Sequence, residues 1–313
     1  MFTRRSGLLF AACAVFFGGT FVAAKAGLAY IPPLLFIALR FDIGAAVLAV
    51  FAMTQLSWSD LRPRTAGDIA GILATGVLVI GLTNVLLFVG QQYVTSGVAA
   101  VVFSLNPILT PVFAAVLLSE DRLSARGAAG MVLGLIGVGI VANPDPSAVL
   151  GGGLGVPLLF CAAVTSALGA VVIRRAEATI SSTARTVWGV PIAAGLSHLL
   201  SLSAGESVTG LSLPPVAVGA LLYVGIFSGA VAYLTYFALI DRAGATRANL
   251  LFYFVPIVST LGGWALLGEV ISTLSLVGFV VIFGGFVLVT GVPPDVFAAL
   301  RRALRDWPTR SGQ

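Results

Sequence analysis

Charge is what this 313-residue chain has least of: 9% of its residues are charged and 58% are hydrophobic. Mean hydropathy is +1.07. A soluble domain usually carries about 25% charged residues. A soluble chain of this make-up would expose apolar surface everywhere, so its solvent must be largely lipid. Histidine is nearly missing. His198 is the single one, which excludes a histidine-rich metal site. Cys13 and Cys161 lie in apolar runs without metal-ligand spacing and read as packing residues, not a disulfide or a site. The sequence holds no nucleophile–base pair, metal ligand set or phosphate loop, so neither an enzyme nor a bound cofactor is expected. Connections reach only about a dozen residues, too short for the soluble output domain of a sensor. The formal charge of +5 would suit nucleic acid only if the basic residues formed one patch, and they do not.

What the chain has is long apolar runs. Ten segments approach or exceed the roughly 20 residues that span a bilayer core. They are 7–28, 33–53, 67–89, 96–118, 124–142, 153–173, 186–203, 214–239, 246–267 and 273–292. The runs are continuous rather than alternating, which argues for helices and against a barrel. Basic residues cluster at the N-terminus (Arg4, Arg5), at Arg62 and Arg64, at Arg122 and Arg126, at Arg174, Arg175 and Arg185, at Arg242 and Arg247, and in the tail from Arg301 to Arg310. The alternate linkers carry none. By the positive-inside rule both termini are cytoplasmic, as an even number of spans requires. Lys25 and Arg40 are the two exceptions, within or at the edge of spans one and two.

The chain repeats itself. LLFAACAVFFGGTFVAAKA at 8–26 parallels LLFCAAVTSALGAVVIRRA at 158–176, with Lys25 meeting Arg175. The first span is therefore the counterpart of the sixth. Although MFTRRSGLLFAACAVFFGG resembles a signal peptide, it is expected to remain part of the fold. FSLNPILTPVFAAVLLSE at 103–120 parallels FYFVPIVSTLGGWALLGE at 252–269, with Pro107 on Pro256 and Glu120 on Glu269. Five spans per copy is odd, so the second copy inserts upside down. The expected fold is an all-α integral membrane protein of ten transmembrane helices, built as two inverted five-helix repeats. The units are 1–147, 148–292 and a basic cytoplasmic tail, 293–313, whose default contact is anionic lipid.

Pro107 and Pro256 fall near the middle of spans four and nine, and each frees a carbonyl that lipid cannot satisfy. Pro111 frees another. The symmetric pair predicts kinked helices beside a midplane cavity, with the three prolines shaping the gate. Ionisable groups inside spans usually face a cavity or a partner. Lys25, Arg40 and Asp42 are therefore candidate coupling residues. Arg40 and Asp42, two residues apart, should point to different faces. Lys25 with Asp42 is one possible interhelical pair, and Asp42 the best candidate proton site. Gly18, Gly19 and Thr20 in helix one, with Asn84, Asn106, Tyr233, Trp188 and His198, are candidate substrate contacts. Tyr223, Tyr236 and Tyr253 are further rings that would suit an apolar cavity. Gly130 with Gly134 and Gly225 with Gly229 form GxxxG packing motifs. Asn249 reads as a helix cap, and Glu120 and Glu269 as organisers of short turns.

FGGTFVAAKAGL in span one, IALRF in span two, NPILTPVFAAVLLSEDRLS, and VPIVSTLGGWALLGEVIS resemble the EamA family of the drug/metabolite transporter superfamily over almost the whole chain. Phe17 departs mildly from a pattern in which Trp is common before the Gly. The resemblance implies a central cavity between helices 1–4 and 6–9, with helices 5 and 10 at the side. It implies transport of small metabolites, often export of amino acids, in some members coupled to protons, and it favours a prokaryotic cytoplasmic membrane. The alternative on the same fold is a multidrug exporter of cationic compounds.

Overall fold

The computed structural model describes residues 4–118, 125–142, 153–233, 235, 236, 239 and 251–290. Every regular element among them is a helix. Six helices are long and apolar enough to cross a membrane: α1 Ser6–Leu28, α2 Pro33–Gln55, α3 Ala66–Gln91, α4 Ser96–Leu117, α6 Gly155–Arg175 and α7 Ser182–Ser203. Four shorter apolar helices also lie among the described residues: α5 Ala125–Gly137, α8 Pro215–Val231, α9 Phe254–Leu267 and α10 Thr273–Gly285. Local chemistry sets the starts. Proline opens α2 and α8, where its missing N–H costs nothing. Thr65, Thr95 and Ser181 accept backbone N–H groups at the starts of α3, α4 and α7. Between α2 and α3, Ser57 donates to Asp60 from both its amide and its hydroxyl, which holds that exposed carboxyl below its ordinary range.

Exchange of one half for the other preserves the packing. α2 lies on α7, and α5 on α10. α1 packs on α8 and α9, as α6 packs on α3 and α4; α2 packs on α8, as α7 packs on α3. The halves run in opposite senses. Near the end of α1, Lys25 bonds carbonyls at the end of α3, whereas Thr179, just past α6, bonds Asp68 at the start of α3.

A second symmetry was not anticipated. α3 widens into a π-helix over Ala74–Leu82, and α8 does so over Tyr223–Val231. Both wide stretches have nine residues, and the second starts 149 positions after the first (223 − 74). A long π-helix is rare, and π turns concentrate at functional sites. Glycine lets neighbours press onto these wide turns. A Cβ on Gly76 would lie 2.8 Å from the Gly189 carbonyl oxygen, and one on Gly225 would lie 2.7 Å from the Ile43 side chain. Lipid is as apolar as a side chain, so such close packing, not water exclusion, holds the helices together.

The proline-centred expectation is met unequally. α4 breaks into Ser96–Phe103 and Asn106–Leu117, with Pro107 in the first turn of the second piece and Pro111 inside it. In the other half the helix runs unbroken from Leu251 to Leu267 through Pro256. Tight turns at the α4 break satisfy the backbone: Leu105 N donates to Val102 O, and the Ser104 hydroxyl donates to Val101 O. The helix pair α5–α10 stands to one side, with Gly285 against Gly130 and Gly134.

Candidate functional site

Arg40 lies where α2, α3 and α8 meet, 3% exposed. Its Nη1 donates to Asn84 Oδ1 at 3.1 Å. Its guanidinium carbon sits 4.9 Å from the ring centres of both Phe41 and Phe88. The buried Arg40 Nε has no acceptor among the described residues. Among the described residues no carboxylate lies within ion-pairing distance of it.

The wide turn of α3 positions Asn84. Thr83 Oγ1 reaches back five residues to Leu78 O, and Asn84 Nδ2 donates to Ile80 O at 2.6 Å. The two side chains thus add donors to carbonyls that the Thr83 backbone N–H also reaches. The amide orientation follows, with Oδ1 turned to the guanidinium. Tyr233 occupies the position in α8's continuation that is 149 residues after Asn84 (233 − 84) and lies near Arg40. Its ring meets Phe17 edge-on at 5.6 Å, and Tyr236 meets Phe17 at 6.2 Å. Each half therefore contributes one polar side chain from the same position to a cation carried by one of them.

A second polar hub joins α1 to α8. Thr20 Oγ1 donates to Ser228 Oγ at 2.6 Å, Ser228 Oγ donates to Phe16 O at 3.1 Å, and Thr20 Oγ1 also lies 3.0 Å from that carbonyl. Tyr223 donates to Val15 O at 3.0 Å. Gly18 and Gly19 are contact points on this side of α1. A Cβ on Gly18 would come 2.6 Å from Val258 of α9, and one on Gly19 would strike the Tyr223 ring.

Carboxylates tie the ends of the bundle together across the halves. Asp68 accepts from Arg64 N, Thr65 N, Thr179 N, Thr179 Oγ1 and Ile180 N. Glu206 accepts from Leu34 N and Leu35 N, so the loop after α7 caps α2. Glu269 accepts from Ser96 N at 2.9 Å and from Ser96 Oγ at 3.2 Å, capping α4 from the other half. Beside it, Lys25 donates to the carbonyls of Gln91, Gln92 and Val94. The Gln91 side-chain amide donates to Phe21 O, and Ser259 Oγ donates to Ser96 O. These bonds tie this end of α1, α3, α4 and α9 together.

The residues expected at a site therefore divide. Thr20, Arg40, Asn84 and Tyr233 lie on the faces where α1, α2, α3 and α8 meet. Lys25 belongs to the ties at that end. The Lys25–Asp42 pair does not form, because Lys25 is taken by three carbonyls and Asp42 by His198. Asp42 and His198 meet at 2.8 Å on the outer surface of α2 and α7, with side chains 48% and 41% exposed. Arg40 and Asp42 do point to different faces. Trp188 donates to Leu61 O in a small cluster with Ile72, Ile180 and Ala184. Asn106 bonds Thr110 within α4. Pro111 is half-buried and Pro256 buried. Cys13 is buried in the core and Cys161 exposed, both free. Glu269 caps a distant helix instead of its own turn. Glu120, Asn249, the Tyr253 side chain and the 293–313 tail lie outside the described residues.

Sequence reading missed the roles of Asp68 and Glu206. A carboxylate at a helix start is a visible signal; its partner in another loop is not. The chain matches the EamA-like transporter family over residues 5–143 and 153–291, one match on each half. It is 26% identical to an uncharacterized transporter of Archaeoglobus fulgidus over 90% of this chain and 97% of that one. It is 29% identical to the uncharacterized inner membrane transporter YedA of Escherichia coli over 91% of this chain and 90% of that one. A crystal structure of a protein at 25% identity superposes with a TM-score of 0.63, covering 91% of this chain and 97% of that one.

Proposed function

The chain belongs to the EamA-like transporter family, and on that footing we propose that it carries small organic metabolites across the cytoplasmic membrane by alternating access, exporting amino acids or related compounds. It is a multi-span membrane protein with a transport role. The ten helices α1–α10 are read as ten spans in two inverted repeats, 1–147 and 148–292, with both termini and the basic tail in the cytoplasm. Two similar halves of opposite sense exchange conformations, and that exchange gives inward-open and outward-open states of similar energy.

The observation that carries this reading is the polar centre between halves: Asn84 and Tyr233 beside Arg40, each next to a π-helical stretch. The substrate is read as sitting there, against Gly18, Gly19 and Thr20 of α1. Pro107, Pro111 and Pro256 lie in the helices that move, with Asn106 beside them. The Asp42–His198 pair is the proposed proton-coupling element. Neither it nor Trp188 lies at the polar centre, so the direct contacts fall to the first group.

Purified protein in liposomes, offered a panel of labelled amino acids with and without a pH gradient, should move one or a few selectively. If folded protein moves none of them under any gradient, amino acid export is wrong. The aromatic set Phe17, Tyr233 and Tyr236 favours a second reading, a multidrug exporter of cationic compounds. A drug-resistance assay in cells expressing the protein separates the two.

A further inference from the structure

We infer that Arg40 is the seat of a carboxylate on the transported compound, with Asn84 holding the guanidinium in place. This rests on the transport reading above and adds to it the chemical class of the cargo. Arg40 was expected to serve coupling; its surroundings suit binding.

A guanidinium buried this deeply needs an anion or a full set of acceptors. Among the described residues Arg40 has one side-chain acceptor, Asn84 Oδ1, and its Nε has none. The nearest acidic residue in sequence, Asp42, faces outward to His198. Phe41 and Phe88 flank the guanidinium and restrict its plane without supplying any acceptor. The free Nε belongs to the edge of the fork that binds carboxylates through two parallel hydrogen bonds.

The fold itself does not call for this cation. The position 149 residues later (40 + 149) is Gly189, in the other half, and there α7 packs directly on Thr75 and Gly76 of α3. One half thus builds the same helix contact with no charge. The single cation is an asymmetric addition, placed where both halves send a polar group. Phe17, Tyr233 and Tyr236 stand close by, so the remainder of the compound is apolar. The cargo is a small organic carboxylate with an apolar remainder, which includes zwitterionic amino acids such as phenylalanine and leucine. A compound whose only charge is positive would meet Arg40 with repulsion.

The test uses the full chain in proteoliposomes. The probes are labelled phenylalanine and leucine, their carboxamides, phenylacetate, and phenethylamine. The acids should cross at least about 100-fold more efficiently than the matching amides, because the fork and its charge recognise only the acid. Arg40→Gln should remove that preference. Arg40→Lys, which keeps the charge and loses the fork, should restore it in part. Arg40→Met in detergent should melt no lower than the parent and lose the stabilisation that saturating acid gives the parent. Amides crossing as fast as acids would overturn the carboxylate assignment and leave transport standing. So would an Arg40→Gln protein that still prefers acids, or a melting loss in Arg40→Met that Arg40→Lys repairs without any change in preference. No flux of any probe through folded protein would overturn the transport reading and this inference with it.

Discussion

Gly225→Ala and Gly219→Ala sit six positions apart in α8 (225 − 219) and should change stability in opposite directions. At Gly219 a new Cβ meets nothing within 4 Å. Only the backbone term remains there, and alanine favours a helix over glycine by about 0.5–1 kcal/mol. At Gly225 the new Cβ falls 2.7 Å from both Cβ and Cγ2 of Ile43 and 3.2 Å from Arg40 O. Overpacking of that kind costs about 1–3 kcal/mol. Set against the same backbone gain, the net loss runs from about 0 to about 2.5 kcal/mol and centres on about 1 kcal/mol. Gly76→Ala repeats the experiment in the other half, where the Cβ meets the rigid Gly189 carbonyl at 2.8 Å and Ile192 Cβ at 2.9 Å. It should cost at least as much, because a backbone carbonyl yields less than a side chain. The assay is thermal unfolding in one detergent, with and without a transported compound. A Gly225→Ala protein as stable as the Gly219→Ala protein would refute the close fit of α2 on the wide turn of α8.

Four further outcomes follow from the geometry. Glu269→Ala removes the cap from Ser96 and should cost about 1 kcal/mol of stability, with looser packing at the Lys25 end read as faster cysteine labelling at position 91 in a Gln91→Cys background. Asp68→Asn turns an amide donor toward backbone N–H groups, so separately expressed halves 1–147 and 148–313 should co-purify less well than the parent halves. Asp42→Asn should abolish the response of flux to a pH gradient; an unchanged response removes the Asp42–His198 pair from coupling. Lys25→Met leaves three carbonyls without their donor, and its flux from the two sides should shift relative to the parent in oriented proteoliposomes.

Much of the architecture was legible because membrane helices announce themselves. Continuous apolar runs and matched copies of Pro107 and Pro256 gave the helices and the duplicated plan. The opposite packing faces of Arg40 and Asp42 followed from helical periodicity. The π-helical stretches were not legible. Ala74–Leu82 and Tyr223–Val231 share glycine at their third position, yet nothing in an apolar run distinguishes a wide turn from an ordinary one. Tertiary packing against α7 and α2 selects it.

The site was legible residue by residue and not as a set. Asn84, Tyr233, Thr20 and Arg40 were visible as polar groups in lipid, and the bundle brings them to adjoining faces. His198 and Trp188 were equally visible and lie elsewhere, because sequence does not say which side of a helix faces the centre. Lys25 looked like a partner for Asp42; three carbonyls at the end of α3, freed by the helix terminus, compete better for an ammonium with three donors. Asp68 and Glu206 each bind N–H groups more than a hundred residues away, a pairing that only the fold creates.

Counterflow of a labelled amino acid in proteoliposomes tests most directly whether a saturable seat between the halves carries the cargo. Unlabelled compound inside should accelerate entry of the label, the exchange should saturate, and Asn84→Ala should abolish it while the protein remains folded. Entry that rises linearly with concentration, or counterflow that survives Asn84→Ala unchanged, would place the pathway away from Arg40, Asn84 and Tyr233.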